Sequence, residues 1–286
     1  MISDITLGQF FPGYSPLHKL DPRTKILLAT VYIVTVFLAA SPASFLLMTV
    51  FVGILIGVSR ISFGVIFRGI KPILFILLFT ALINLFMTGG EGEPLLEFWV
   101  IKIYTEGIAR ALFMALRVVF LIVGTSLLLT YTTSPISLTD GLESLLSPLK
   151  KIGVPVHTFA MMMSIALRFI PTLVEETEKI MNAQKSRGAD FSTGSLASRA
   201  KALVPLLIPL CVSAFKRAEE LATAMECRCY RGDYNRTKLV KLEYRGLDVL
   251  WFIIFALFVG VMVASITVPY LFDSLGAWYD VIFFRI

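Results

Sequence analysis

Charged residues are scarce in this 286-residue sequence. Asp, Glu, Lys and Arg make up 16% of it, whereas an average soluble domain carries about 25%. Hydrophobic residues make up 57%, and the mean hydropathy is +0.81. This balance excludes an ordinary soluble domain and indicates a membrane protein with several spans.

Histidine and cysteine are also rare, with two and three residues respectively. The sequence has no G-x-S-x-G or H-E-x-x-H motif and no G-x-x-x-x-G-K-S/T nucleotide loop. Cys227 and Cys229 form a C-x-C pair without nearby histidines, which is a poor zinc site, so we interpret them as reduced cytoplasmic thiols. We therefore predict no catalytic site, no metal and no cofactor, and any ATP must be hydrolysed by a partner chain.

The net charge of +6 does not indicate nucleic acid as a partner. No basic run alternates with aromatic residues, as a nucleic-acid surface requires. In a membrane protein, such an excess reflects lysine and arginine retained in cytoplasmic segments.

Five hydrophobic runs predict transmembrane helices, at residues 26–40, 45–58, 73–87, 107–131 and 246–270. Basic residues mark one side of these runs: Arg23, Lys25, Arg60, Arg68 and Lys71. The connection 89–106 on the other side is rich in glutamate. The positive-inside bias therefore places the N-terminus in the cytoplasm. The predicted fold class is an all-α integral membrane protein with about five transmembrane helices.

A cytoplasmic unit of two or three long amphipathic helices is predicted between the fourth and fifth spans. Segments 156–170 and 202–215 are apolar enough to resemble spans, but crossing by both would put the basic stretch 179–201 outside. We interpret them as helices in or under the membrane. The predicted domains are a four-span part, the cytoplasmic unit, and a C-terminal span with its tail, at 1–131, 132–245 and 246–286.

Two arginines lie inside the fourth predicted span. Arg110 and Arg117 are seven positions apart, so they share one helix face. In one interpretation, Arg110 extends to the interface and Arg117 pairs with a neighbour or a carbonyl. In the other, both line a transport pathway.

Two stretches place an arginine between small residues at the end of a predicted helix. They are Ser186-Arg187-Gly188 and Cys227-Arg228-Cys229. A glycine and an aspartate follow soon after each arginine, so we expect both helices to stop there. An arginine at such an end extends past the last turn and reaches carboxylates or carbonyls of a partner. Two such tips predict a two-point attachment to a two-lobed partner.

A third motif is Asp21-Pro22-Arg23-Thr24-Lys25, in which Asp21 suits an N-cap and Pro22 a first helical residue. Together with the two arginine tips, it resembles the signatures of the transmembrane T component (EcfT) of energy-coupling factor transporters. The resemblance covers essentially the whole chain. The tips depart from that family's Ala-Arg-Gly type at Ser186, Cys227 and Cys229, but they keep the arginine and its small neighbours.

The resemblance implies a non-catalytic coupling subunit of an ATP-driven importer in the bacterial cell membrane. In that family, the T component docks on two ABC-type ATPase subunits and holds a small substrate-binding S component. Arg187 and Arg228 would each enter a groove of one ATPase subunit. ATP binding would then move the coupling helices, and the S component would reorient to release its vitamin or metal. Membrane lipid is implied as well, and we favour a module shared among exchangeable S components.

Two further groups are candidate contacts with the S component. Met161, Met162 and Met163 form an adaptable apolar patch, although they also suit core filling. Gly53 and Gly57 form a G-x-x-x-G in the second span, which favours close helix approach to the S component or within the chain.

Two other functions stay open. A permease that binds its own solute, with Arg110 and Arg117 on the path, predicts solute binding by the purified chain alone. A membrane anchor or assembly factor predicts uptake that does not depend on Arg187 or Arg228. The coupling function predicts copurification with ATPase subunits instead.

Overall fold

The computed structural model of the chain describes residues 10–39, 41–87, 96–98, 101–189, 195–232 and 242–267. The chain divides into two compact units. One unit comprises residues 10–134 and 242–286, and we call it the membrane unit. The other comprises residues 1–9 and 135–241, and we call it the helical insert because it interrupts the first in sequence.

Helices account for nearly all of the described chain. In chain order they are α1 (Pro22–Leu38), α2 (Pro42–Ser59), α3 (Phe63–Ile70), α4 (Leu74–Met87), α5 (Thr105–Thr125), α6 (Pro135–Leu146), α7 (Val156–Ser186), α8 (Leu196–Cys227) and α9 (Gly246–Thr267). Two 3₁₀ turns, Lys71–Ile73 and Ser147–Ile152, follow α3 and α6, and a π-helical turn at Ser126–Thr130 continues α5. Between α4 and α5, the short strands Leu96–Phe98 and Ile101–Ile103 pair in antiparallel fashion.

Among the residues that the structure describes, five helical segments are long and apolar enough to cross a membrane. They are Pro42–Ser59, Phe63–Phe86, Gly107–Thr130, Val156–Ser186 and Gly246–Ser265. The predicted fold class is confirmed, although the set of spans differs from the predicted one. The first predicted run lies on α1, which has only 17 residues, whereas α7 has 31 and meets the same criterion.

The third span also begins earlier than predicted. We placed its start at residue 73 because Arg68 and Lys71 marked a basic connection. In the structure, the candidate span begins at Phe63 and includes both residues. Both are exposed, so their long side chains keep the charge at the surface while the backbone stays helical.

Inside the membrane unit, α1 packs against α5 around Tyr32, whose ring also contacts Phe51 of α2. The Tyr32 ring is fully buried and lies nearly parallel to Phe51, with ring centroids 6.4 Å apart. Its hydroxyl donates to the Phe120 carbonyl at 2.8 Å. A Cβ atom at Gly124 would clash with the Tyr32 ring, so the close approach of α1 to α5 depends on glycine at that position.

The helical insert is built on α7, which packs against both α6 and α8. Glu143 of α6 lies 2.8 Å from His157 of α7, and Arg217 of α8 donates to Glu176 of α7 at 2.9 Å. Both long helices continue through internal prolines, at Pro171 in α7 and at Pro205 and Pro209 in α8.

Candidate functional site: two arginine-capped helix ends

Helix α7 ends in a C-terminal capping motif that surrounds Arg187. The Gly188 N–H donates to the Lys185 carbonyl and the Ala189 N–H to the Gln184 carbonyl, both at 3.0 Å. These two hydrogen bonds, one enclosing the other, form the Schellman motif. Gly188 has φ +86°, which glycine adopts without the penalty that a Cβ atom brings. Arg187 is therefore the C-cap residue, held at the point where the helix stops.

Helix α8 ends in the same motif around Arg228. The Cys229 N–H donates to the Glu226 carbonyl at 2.8 Å, and the Tyr230 N–H donates to the Met225 carbonyl at 3.0 Å. Here the left-handed position belongs to Cys229, with φ +56°. We had predicted that Gly232 would help to stop this helix, but the turn is made three residues earlier. Arg228 is again the C-cap residue.

The two arginine side chains are available for a partner. Arg187 and Arg228 are both exposed, and neither guanidinium has a hydrogen bond or ion pair among the residues that the structure describes. Ser186 and Cys227, the last helical residues, are exposed beside them. Asp190 and Asp233, which follow the tips, lie outside the described residues. Each tip thus presents five N–H donors with small neighbours.

The second tip borders a cavity of about 610 Å³ inside the helical insert. Arg168, near the middle of α7, lines it together with Arg228 and Arg231. Met161 lines its apolar side, whereas Met162 and Met163 are 48% and 53% exposed. The methionine triplet is therefore divided between this cavity and the surface.

The glycine pair of α2 points outward. Gly53 and Gly57 are exposed, and a Cβ atom at either position would meet nothing within 4 Å. Neither glycine therefore packs closely against another described part of the chain. Contact with an S component stays a prediction.

The N-terminal motif forms a buried polar cluster at the start of α1. Asp21 is the N-cap residue and accepts from the Arg23 N–H at 2.9 Å, while Pro22 is the first helical residue. Lys25 is 2% exposed and donates to the Thr132 carbonyl at 2.8 Å. Thr24 is fully buried beside it.

Two partners of this cluster were missed by sequence reasoning. Asp248 in the first turn of α9 is 1% exposed and accepts from the Asp21 N–H at 2.9 Å. Its other oxygen accepts from the Arg245 N–H at 2.7 Å, which caps α9. Arg23 donates to the Leu242 carbonyl at 2.9 Å. A lone aspartate at the start of an apolar span was the available signal, because such a charge requires a partner.

Arg117 follows the first of the two interpretations that we gave. Its guanidinium donates to the Ala39 carbonyl at 2.6 Å and lies 5.7 Å from the centre of the Phe45 ring. The prediction that it pairs with a carbonyl is confirmed, so this arginine ties α5 to the α1–α2 connection.

The candidate spans define a multi-pass membrane protein, and the exposed arginine tips belong to its helical insert. Residues 13–239 match the CbiQ family, described as cobalt transport protein. A protein of Clostridium kluyveri named energy-coupling factor transporter transmembrane protein EcfT is 55% identical over 250 residues, which are 87% of this chain and 92% of that one. The protein of the same name in Acidaminococcus fermentans is 53% identical over 260 residues, which are 91% of this chain and 96% of that one. The one in Bacillus subtilis is 49% identical over 248 residues, which are 87% of this chain and 93% of that one. The chain therefore belongs to the CbiQ family, as an EcfT transmembrane component of energy-coupling factor transporters.

Proposed function

We propose that the chain is the non-catalytic coupling subunit of an importer, with two ABC-type ATPase subunits and an exchangeable S component as its partners. The ATPases hydrolyse ATP, and the helical insert passes their movement to the S component, which reorients to release a vitamin or metal. The insert and the N-terminus then lie on the cytoplasmic side of the bacterial cell membrane.

The single observation that carries this proposal is the equivalence of Arg187 and Arg228. Each is the C-cap residue of a Schellman motif, and the bonds from the C-cap N–H groups measure 3.0 Å and 3.1 Å. Two equivalent exposed tips suit two similar docking grooves, one on each ATPase subunit. Acidic side chains or carbonyls in each groove would receive the planar guanidinium fork.

Reversing the charge of both tips tests the proposal. The chain with Arg187→Glu and Arg228→Glu is expected to insert in the membrane but to lose copurification with ATPase subunits and to lose uptake. The matched control reverses Lys179 and Lys216, which are exposed on the bodies of the same two helices. This control makes the same change in net charge and is expected to retain both properties.

Normal uptake by the tip variant would overturn the proposal. Loss of uptake by both variants would attribute the effect to net charge rather than to the tips, and would also count against it. Binding of the transported solute by the purified chain alone would favour the permease instead.

A further inference from the structure

The N-terminal motif lies at a particular place in the chain path. Residues 135–241, the larger part of the helical insert, are joined to the membrane unit by two connections, one after Ser134 and one before Leu242. Lys25 donates to the carbonyl of Thr132, two residues before the first connection, at 2.8 Å. Arg23 donates to the carbonyl of Leu242, the first residue after the second connection, at 2.9 Å. One turn of α1 therefore holds the chain at both ends of residues 135–241.

Both acceptors are main-chain carbonyls, so what these side chains fix is the backbone path. The cluster is reinforced on the α9 side, where Asp248 bonds the N–H groups of Asp21 and Arg245. The Arg23 guanidinium also lies 5.2 Å from the centre of the Tyr244 ring, within the re-entering segment. Hydrogen bonds from a charged donor in a buried setting are stronger than neutral ones and costly to break.

The helix that carries this turn continues into the core of the membrane unit. Helix α1 contacts α5 and α9, and its residues Leu28, Tyr32 and Val36 are each at most 1% exposed. A displacement of its first turn cannot be absorbed by loose packing, because such a core transmits strain.

We infer that Lys25 and Arg23 are positioning residues for coupling, which hold to α1 the two connections that flank residues 135–241, so that a displacement of the insert moves the membrane unit. This inference rests on the proposed coupling function. It assigns a role in transmission to the motif, separate from attachment of the ATPases at Arg187 and Arg228.

The test uses the full complex of this chain, two ATPase subunits and a riboflavin-binding S component in proteoliposomes. The variants are Lys25→Met, which keeps the side-chain length but removes the donor, and Arg23→Gln. The control is Lys19→Met, because Lys19 is exposed six positions away. For each, ATPase content, ATP hydrolysis and uptake of tritiated riboflavin are measured.

We expect both variants to keep the ATPase subunits and ATP hydrolysis, while riboflavin moved per ATP falls about tenfold, the factor that corresponds to losing one hydrogen bond to a charged group. A purely structural role would not change this ratio in the complexes that assemble. An unchanged ratio in both variants would overturn the inference, and so would failure of both to assemble, since the motif would then serve folding only. If the wild-type chain itself retained no ATPase, the proposed function would fail first.

Discussion

Arg117 of α5 donates to the carbonyl of Ala39 across 2.6 Å. Burying an arginine within a span costs free energy unless its side chain is paired. Here the carbonyl at the end of α1 accepts a hydrogen bond from one nitrogen of the guanidinium. The relationship gives Arg117 a structural role within the membrane unit.

Replacing Arg117 therefore changes stability before it changes transport. Arg117→Met is expected to lower the free energy of unfolding by about 1.5–3 kcal/mol, the value of a hydrogen bond to a charged group. Thermal unfolding in detergent measures this, with Arg68→Met as a control because Arg68 is exposed. A changed KM for solute with unchanged stability would return Arg117 to the transport path.

The two C-terminal caps predict opposite responses at equivalent positions. Gly188→Ala places a Cβ at φ +86° and is expected to cost about 1 kcal/mol. Cys229→Gly relieves the same strain at φ +56° and is expected to stabilise the helix end by about 0.5–1 kcal/mol. Hydrogen exchange at the last amides of α7 and α8 reports both changes. Equal protection in both variants and the wild type would show that these caps do not set the helix ends.

The close contact of Gly124 with Tyr32 predicts sensitivity to one added methyl group. Gly124→Ala is expected to destabilise the chain by about 1–3 kcal/mol through overpacking. Gly57→Ala is the matched control, since a Cβ atom there meets nothing within 4 Å. Adding Tyr32→Leu to Gly124→Ala should cost less than the sum of the two single changes, because the smaller side chain removes the clash. Additive costs would mean that the ring and the glycine are not in contact.

Local patterns predicted the helix ends better than they predicted long-range pairing. Asp21 and Pro22 correctly predicted the start of α1, because helix capping depends on residues that are neighbours in sequence. Gly188 likewise predicted the end of α7. At the end of α8 we expected Gly232 to stop the helix, but the turn is made at Cys229, a residue type that carries no such signal.

The pairing of charged residues was beyond sequence reasoning for a physical reason. Asp248 contacts Asp21 from 227 positions away, and no local pattern brings those two residues together. The carbonyl partners of Lys25 and Arg23 have no sequence signature at all, because every residue has a carbonyl. The span at 63–86 was shortened for the opposite reason: Arg68 and Lys71 were treated as boundaries, although long side chains at a helix surface do not end a helix.

The proposed two-groove attachment makes a quantitative prediction about single and double substitutions. Arg187→Ala and Arg228→Ala are each expected to weaken ATPase binding by about 2–5 kcal/mol, the usual cost of truncating one partner of a buried charged pair. Each single variant should keep partial uptake, because the remaining tip keeps the effective concentration of the lost one high. If each tip enters a separate groove, the two losses in binding free energy should add to within about 0.5 kcal/mol. Titration of the purified ATPases against the three variants measures this sum. A double variant no weaker than either single one would mean that both arginines serve the same contact, and the assignment of one tip to each ATPase subunit would have to be given up.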